Sequence, residues 1–400
     1  MKYAIVLPDG AADEPLAQLG GRTPLEAATI PNMDWVATHG RLGRVVTIPD
    51  GFTPGTDVGT LSLLGYDPHI CYTGRAPLEA AARGLVTEPG ELIFRCNFVT
   101  IEHGRMKDFT AGHIAQPDAE RLVEDLNDLA RQGNPSLDGC RFSAGVSYRN
   151  LLVAAGAADM QLMCIPPHDI PGQLVADELP RGKGQQRVQR IMACAHEMLE
   201  DHEINQRRAE RGEPLVTDIW LWGQGRPVKL RQFHDRFGVR GAVITGVDII
   251  RGLAAAAGID RIDVEGATGY IDTDYAAKGA AAVRALEDYD LVIVHVEAPD
   301  EAGHLGNAEE KARAIERTDE DVVGPLLDAR RGREEWRILI AVDHPTPCTT
   351  KRHDAAPPLF GYAGTRIEPS TARRFTERHA AGSGWVVNPG WGLADLFFRV

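Results

Sequence analysis

Two short runs in the C-terminal part of the chain carry side chains able to do metal chemistry: Asp300-Glu301-Ala302-Gly303-His304 and Val342-Asp343-His344. Asp offers hard oxygen donors and His a borderline nitrogen, the donor types that hold divalent cations. Asp300 and His304 are four residues apart, so one helical turn brings both to one face and one ion. Asp343 and His344 are adjacent and must diverge; they share an ion only through a bend, or help bridge a pair. His353, nine residues after His344, is a further imidazole that could complete the first set. Pro8-Asp9-Gly10 adds a carboxylate near the N-terminus. Pro54-Gly55-Thr56-Asp57 adds a hydroxyl, because Gly55 permits a tight turn into a helix with Thr56 at or near its N-cap. Capping alone suffices to explain a Thr there. The chemical alternative is a hydroxyl deprotonated by a divalent ion and directed at phosphorus, with the helix N-terminus favouring the anions.

The elements that must position these groups are legible. Tyr3-Ala4-Ile5-Val6-Leu7, Leu291-Val292-Ile293-Val294-His295-Val296 and Ile338-Leu339-Ile340-Ala341-Val342 each run directly into a candidate donor. Such β-branched, apolar runs read as strands buried on both faces of a parallel sheet, whose C-terminal ends open onto the binding edge of α/β proteins. Three strand ends delivering carboxylate or imidazole to one edge point to a metal centre with two ions. Helices are expected from Pro24 to Ala28, Met33 to His39, Asp57 to about Leu64, Val247 to Ala257 and Tyr275 to Leu286, with further strands at Leu42–Ile48, Ile219–Trp222 and Ala242–Ile244.

From about Leu92 the character changes. A strand over Leu92–Ile101 turns at His103-Gly104 into Met106–Phe109, followed by a helix at Ala119–Leu129 and a strand near Val146–Ala154. Val188, Ile191, Met192, Ala195, Met198 and Leu199 then recur at helical spacing, a packing stripe. The expected architecture is a large α/β core with a mostly parallel sheet, built from residues 1–90 and 181–400, and an inserted α+β domain over 91–180.

A chain of 400 residues exceeds the usual single-core size, which agrees with that division. The formal net charge of −14 speaks against nucleic acid or an anionic membrane as partner. It leaves a small phosphorylated substrate open, because bound cations reverse the local field. No apolar stretch approaches the ~20 residues of a membrane span, and Met1-Lys2 leads straight into a strand rather than a signal peptide. The six cysteines lack CxxC spacing and suit a reduced, cytoplasmic protein.

Taken in order, Pro8-Asp9-Gly10, Pro54-Gly55-Thr56-Asp57 through Leu63-Leu64-Gly65-Tyr66-Asp67-Pro68, Asp300-x-x-x-His304 and Asp343-His344 resemble the cofactor-independent phosphoglycerate mutases of archaeal type, within the alkaline phosphatase superfamily. Gly145-Val146-Ser147-Tyr148-Arg149, Pro166-Pro167-His168-Asp169-Ile170, Ile219-Trp220-Leu221-Trp222-Gly223-Gln224-Gly225 and Gly266-Ala267-Thr268-Gly269-Tyr270 extend the resemblance along the whole chain. It implies an alkaline-phosphatase-like core and a site with two divalent ions. Asp300, His304 and His353 look like the ligands of one, and Asp9, Thr56, Asp343 and His344 like those of the other. Mn2+ or Zn2+ suits such a set best, with Co2+ or Mg2+ also compatible. The family nucleophile is usually Ser, where this chain has Thr56.

The implied reaction passes the phosphoryl group of 3-phosphoglycerate to Thr56 and returns it to the 2-hydroxyl of the retained glycerate, without 2,3-bisphosphoglycerate. In the insertion, His113, His168 and Asp169 are candidates for acid/base work, and Arg149 for clamping carboxylate or phosphate with its planar fork. An insertion able to cover the site would keep water from a phosphorylated intermediate. A phosphatase or phosphodiesterase would share the same ligands and Thr56; the family-like runs of the insertion favour a mutase. A homoserine-kinase-like phosphotransferase would need a nucleotide site, and no GxxxxGK[ST] loop is present.

Overall fold

The computed structural model describes residues 1–333 and 335–399. Contacts divide the chain into two compact units, Met1–Tyr72 with Lys229–Val400, and Thr73–Val228.

The first unit is built on an eight-stranded sheet. Its spatial order is Asp260–Arg261, Gly241–Ile244, Leu291–Val296, Lys2–Pro8, Trp336–Ala341, Leu359–Gly364, Arg41–Val45 and Val386–Val387. The first five strands run parallel, and Leu359–Gly364 is antiparallel to both its neighbours. Leu291–Val296 and Trp336–Ala341 are buried throughout, as strands covered on both faces must be, which is why they read as unbroken apolar runs. Register places the three donor-bearing strands level: Pro8 pairs with Val296, and Val6 with Ile340. Their C-terminal ends therefore reach the same edge.

Helix Ala298–Leu305 follows Leu291–Val296 after a single residue, Glu297. Pro299 sits in its first turn, where a missing N–H costs nothing, and Gly306 ends it in the left-handed region. Asp300 and His304 thus lie on one helical face, as their spacing requires.

The second unit centres on Leu92–Glu102, flanked by Arg149–Ala154 on one side and Asp218–Gly225 on the other, all antiparallel. Arg105–Asp108 folds back on its far end, and Cys140–Val146 extends the sheet beyond Arg149–Ala154. Helices Gln116–Arg131 and Gln185–Glu200 turn apolar faces to this sheet and share one core with it, including Leu122, Val188, Ile191, Leu199 and Trp220.

Three expectations change here. The strand expected near Val146–Ala154 is the return arm of a hairpin whose turn falls at Ser147, with φ 54°. Ile219–Trp222, read as a core strand, pairs with Leu92–Glu102, with Trp220 opposite Asn97. The second unit accordingly runs Thr73–Val228 rather than 91–180. The cause is long-range pairing: the strand that closes this sheet returns to it more than 100 residues later in the chain, after helix Gln185–Glu200 has covered one face.

Among the described residues no helix is long and apolar enough to cross a membrane. The six cysteines are unpaired.

Candidate metal centre

All seven core residues singled out by type and spacing converge at the carboxyl edge of the large sheet. Asp300, His304 and His353 bring ligand atoms within 4.8 Å of one another, as do Asp9, Asp300 and His344. In the first group His304 Nε2 lies 3.0 Å from Asp300 Oδ2 and 2.9 Å from His353 Nε2. In the second, His344 Nε2 lies 3.4 Å from Asp9 Oδ1, 3.3 Å from Asp343 Oδ2 and 3.4 Å from the Thr56 hydroxyl. Donor atoms of a tetrahedral shell with bonds of ~2.0–2.1 Å stand about 3.3–3.4 Å apart, so this spacing fits a small divalent cation.

The partners of these groups set which atom each presents. His304 Nδ1–H donates to the Lys351 carbonyl at 3.0 Å, and His353 Nδ1–H to the Pro54 carbonyl at 3.3 Å. The Thr346 hydroxyl donates to Asp300 Oδ1 and in turn accepts from His344 Nδ1–H at 3.2 Å. With Nδ1 tied to an oxygen acceptor in all three imidazoles, each points Nε2 inward, the atom that a cation ligand offers once it carries no proton. Among the carboxylates, Gly10 N–H donates to Asp343 Oδ1 at 3.1 Å, leaving Oδ2 buried without a hydrogen-bond partner. Asp9 Oδ1 is buried and unpartnered as well. Orphaned carboxylate oxygens are costly in a protein interior, and a cation supplies what they lack.

Electrostatics point the same way. Burial, reinforced by the carboxylates of Asp343, Glu297 and Asp300, pushes Asp9 well above the usual range. Burial also raises Asp343, and lifts Glu297 to about 8 with Asp300 adding to the effect. Burial would raise Asp300 too, but hydrogen bonds from His304 and His353 outweigh it and hold its carboxyl well below the ordinary value. Four acidic groups in one buried pocket repel each other unless positive charge enters.

His304 is the reporter of this. Its hydrogen bond to Asp300, opposed by burial, raises it to about 9. At neutral pH the metal-free imidazole therefore holds a proton that a cation must displace. Binding of the first ion should strengthen with pH up to about 9, by roughly tenfold per unit for one proton released. The sign is opposite for the metal-free fold: a raised imidazole stabilises it below the ordinary value near ~6.5, and that contribution is lost as pH rises through about 9. Calorimetric titration with Mn2+ between pH 6 and 9 checks the first statement, and an affinity flat across that range would contradict it.

Thr56 departs from the capping expectation. It is the first residue of helix Thr56–Leu63, one position past the N-cap, which is Gly55. Its hydroxyl points across the chain to His344 rather than back to helix N–H groups. The helix is buried along its whole length, and Gly59 lets it press on the Asp343 strand end; a Cβ there would meet the Asp343 carbonyl oxygen at 2.6 Å.

Gly10 has φ 59°, and a Cβ on it would stand 2.5 Å from Asp300 Oδ1 and 2.8 Å from the Asp300 Cα. Gly10→Ala must therefore move helix Ala298–Leu305 as well as strain the turn, a cost of at least ~1 kcal/mol. We expect it to lower Tm and to weaken cation binding at least about tenfold; near-wild-type binding would show that the edge tolerates the shift.

Three residues outside the expected set also stand at this edge. His295 Nε2 lies 2.8 Å from Asp9 Oδ2 and 3.6 Å from Glu297 Oε2, and these three form a further donor group. Thr346 links Asp300 to His344. His295 lay inside a strand-like run and Glu297 just beyond it, a strand-end position that was a usable signal; nothing in the pattern marked Thr346.

The insertion residues lie in the second unit. His113, at φ 51°, ends a loop wound around Asp108, whose carboxylate accepts from Thr110 and Gly112. Its ring lies 5.7 Å from Tyr148, over which the Arg149 guanidinium sits at 4.9 Å. His168 is flanked by Trp222 and Phe109, and Asp169 is exposed. Burial lowers His168; Asp169 opposes this, and the guanidinium groups of Arg95, Arg75 and Arg149 add to it. Arg75 and Arg95, unmarked in the sequence, thus act on His168 together with Arg149. Arg95 is anchored by Glu79 at 2.7 Å and by the Trp222 ring.

Fold and site together define an α/β enzyme that gathers divalent-cation donors around one hydroxyl at the edge of a mainly parallel sheet. A family model for 2,3-bisphosphoglycerate-independent phosphoglycerate mutase matches residues 37–205. The enzyme of that name from Methanothrix thermoacetophila is 46% identical over 397 residues, covering 99% of each chain. The chain belongs to this family. Among solved structures, the PH0037 protein of Pyrococcus horikoshii superposes with a TM-score of 0.81 at 30% identity, over 99% of this chain and 96% of that one. The cofactor-independent phosphoglycerate mutase of Thermoplasma acidophilum gives 0.70 at 26% identity, over 100% and 99%.

Proposed function

We propose that this protein interconverts 3-phosphoglycerate and 2-phosphoglycerate without 2,3-bisphosphoglycerate, using Thr56 as the transient phosphoryl acceptor. The supporting observation is the Thr56 hydroxyl, 3.4 Å from His344 Nε2 beside two cation-donor groups and not engaged in capping its helix. Asp300, His304 and His353 would hold one divalent ion, and Asp9, Asp343, His344 and Thr56 a second. Bound there, the ions supply Lewis acidity, which favours the ionised hydroxyl and offsets charge on the transferring phosphoryl group. Mn2+ or Zn2+ matches the mixed oxygen and nitrogen donors best.

The chain's own residues account for the remaining steps. Thr56 Oγ gives up its proton and attacks phosphorus, the bond from phosphorus to the C3 oxygen breaks, and that oxygen takes up a proton to leave glycerate. Glycerate turns; its C2 hydroxyl gives up a proton and attacks, and the bond from Thr56 Oγ to phosphorus breaks, restoring the hydroxyl. Arg149 suits the substrate carboxylate, and His113, His168 or Asp169 the proton transfers. Helix Thr56–Leu63 directs its N-terminal end toward the anionic centre.

The test is direct. Metal-loaded protein given 3-phosphoglycerate, with no 2,3-bisphosphoglycerate present, is expected to form 2-phosphoglycerate with little free phosphate. Free phosphate without 2-phosphoglycerate would replace the mutase reading with a phosphatase.

A further inference from the structure

The three ligand imidazoles each donate from Nδ1 to an oxygen and point Nε2 inward; His295 instead turns Nε2 to a carboxylate. It is fully enclosed, with Nε2 at 2.8 Å from Asp9 Oδ2. An ionised carboxylate, the form a cation ligand takes, only accepts hydrogen bonds, so the proton between them belongs to Nε2. A neutral imidazole then offers a lone pair at Nδ1, and the Thr245 hydroxyl stands 3.3 Å from it. Val247 N–H already donates to the Thr245 oxygen at 3.0 Å, which leaves the hydroxyl proton for His295. The backbone is held too: the buried ammonium of Lys278 donates to the His295 carbonyl at 3.2 Å.

From this relay we infer that His295, set in its tautomer by Thr245, is a positioning residue for the second cation. It engages Asp9 Oδ2 and so turns Oδ1, buried and without a hydrogen-bond partner, toward His344, 3.4 Å away. Gly10 N–H divides the Asp343 carboxylate in the same way. Each carboxylate has one oxygen tied by a fixed donor and the other presented. The assignment rests on the two-ion reading above.

A rival use of His295 is as a ligand itself, because Asp9, His295 and Glu297 also bring donor atoms together. Two features oppose a third ion there. The Nε2 position it needs carries the proton shared with Asp9, and the Lys278 ammonium, 3.2 Å from the His295 carbonyl, already brings positive charge beside this group.

Mn2+ titration of the full chain, by calorimetry and electron paramagnetic resonance, separates these cases. Wild type is expected to bind two ions, one lost in His304→Ala and the other in Asp343→Asn. His295→Leu should weaken only the Asp343-dependent ion, by about 10–100-fold, as loss of an outer-sphere partner does. His295→Gln, which can return an N–H to Asp9, should recover most of that affinity. Thr245→Val, a change of little volume, should give a smaller loss at the same ion.

Unchanged affinity in His295→Leu and Thr245→Val would overturn the assignment. So would equal weakening of both ions, the mark of a merely structural role. Three ions in wild type, with one lost in His295→Leu and the others intact, would make His295 a ligand instead. A wild type lacking any Asp343-dependent ion would overturn the two-ion reading itself, and this assignment with it.

Discussion

Thr56→Ala is expected to reduce mutase turnover by about 10,000-fold or more while leaving the fold and the Asp300–His304–His353 cation site nearly intact. A loss of that size corresponds to about 5.5 kcal/mol at the transition state. It follows from the role of the hydroxyl: without Thr56 Oγ no covalent acceptor stands beside His344. Stability should barely change, by about 1 kcal/mol, because the side chain caps nothing and Ala is favourable in a first helical turn. Thr56→Ser keeps the oxygen and removes a methyl, so its activity should stay within about tenfold of wild type. Steady-state assays beside thermal melts and Mn2+ titration decide the matter. Substantial activity in Thr56→Ala would remove Thr56 as acceptor, and a large fall in Tm would reassign it to structure.

Asp300→Asn is the second large effect. Asp300 belongs to both metal-donor groups that include the ligand imidazoles, touches His304 and His353, and receives the Thr346 hydroxyl. Neutralising it removes a charged donor and the group that organises two imidazoles. The first ion should be lost at micromolar Mn2+, and turnover should fall about 1,000-fold, equivalent to several kcal/mol of lost charge stabilisation. A second readout needs no metal. The His304 proton, held to about 9 by the hydrogen bond to Asp300, should in the variant leave near the ordinary imidazole value of ~6.5. Nuclear magnetic resonance titration of His304 in metal-free Asp300→Asn measures this directly. A proton still retained near its original pH would mean that another group holds it.

How much of this was readable in advance depended on sequence distance. Asp300 and His304 were assignable to one face because a helix repeats every ~3.6 residues, and the helix is there. The three donor-bearing strands were assignable because strands buried on both faces can carry little but apolar residues. Local rules failed where a partner lay far off. Thr56 reads as a cap within its own segment, and only His344, 288 residues away, gives its hydroxyl another direction. His295 reads as one more strand residue until Asp9, 286 residues distant, is placed beside it.

The same division applies to the whole molecule. Residue types and short-range periodicity by themselves determined the α/β class, the run of metal-capable side chains at strand ends and membership of a mutase-like pattern, because each is a property of a local segment and its burial. Tertiary structure alone decided that Ile219–Trp222 joins the second unit, since strand pairing is chosen by register and by the face left open, not by composition. It also decided which oxygen and which nitrogen each ligand presents, because that choice belongs to the hydrogen-bond partners Thr346, Lys351, Pro54, Gly10 and His295, gathered from four separate stretches of chain.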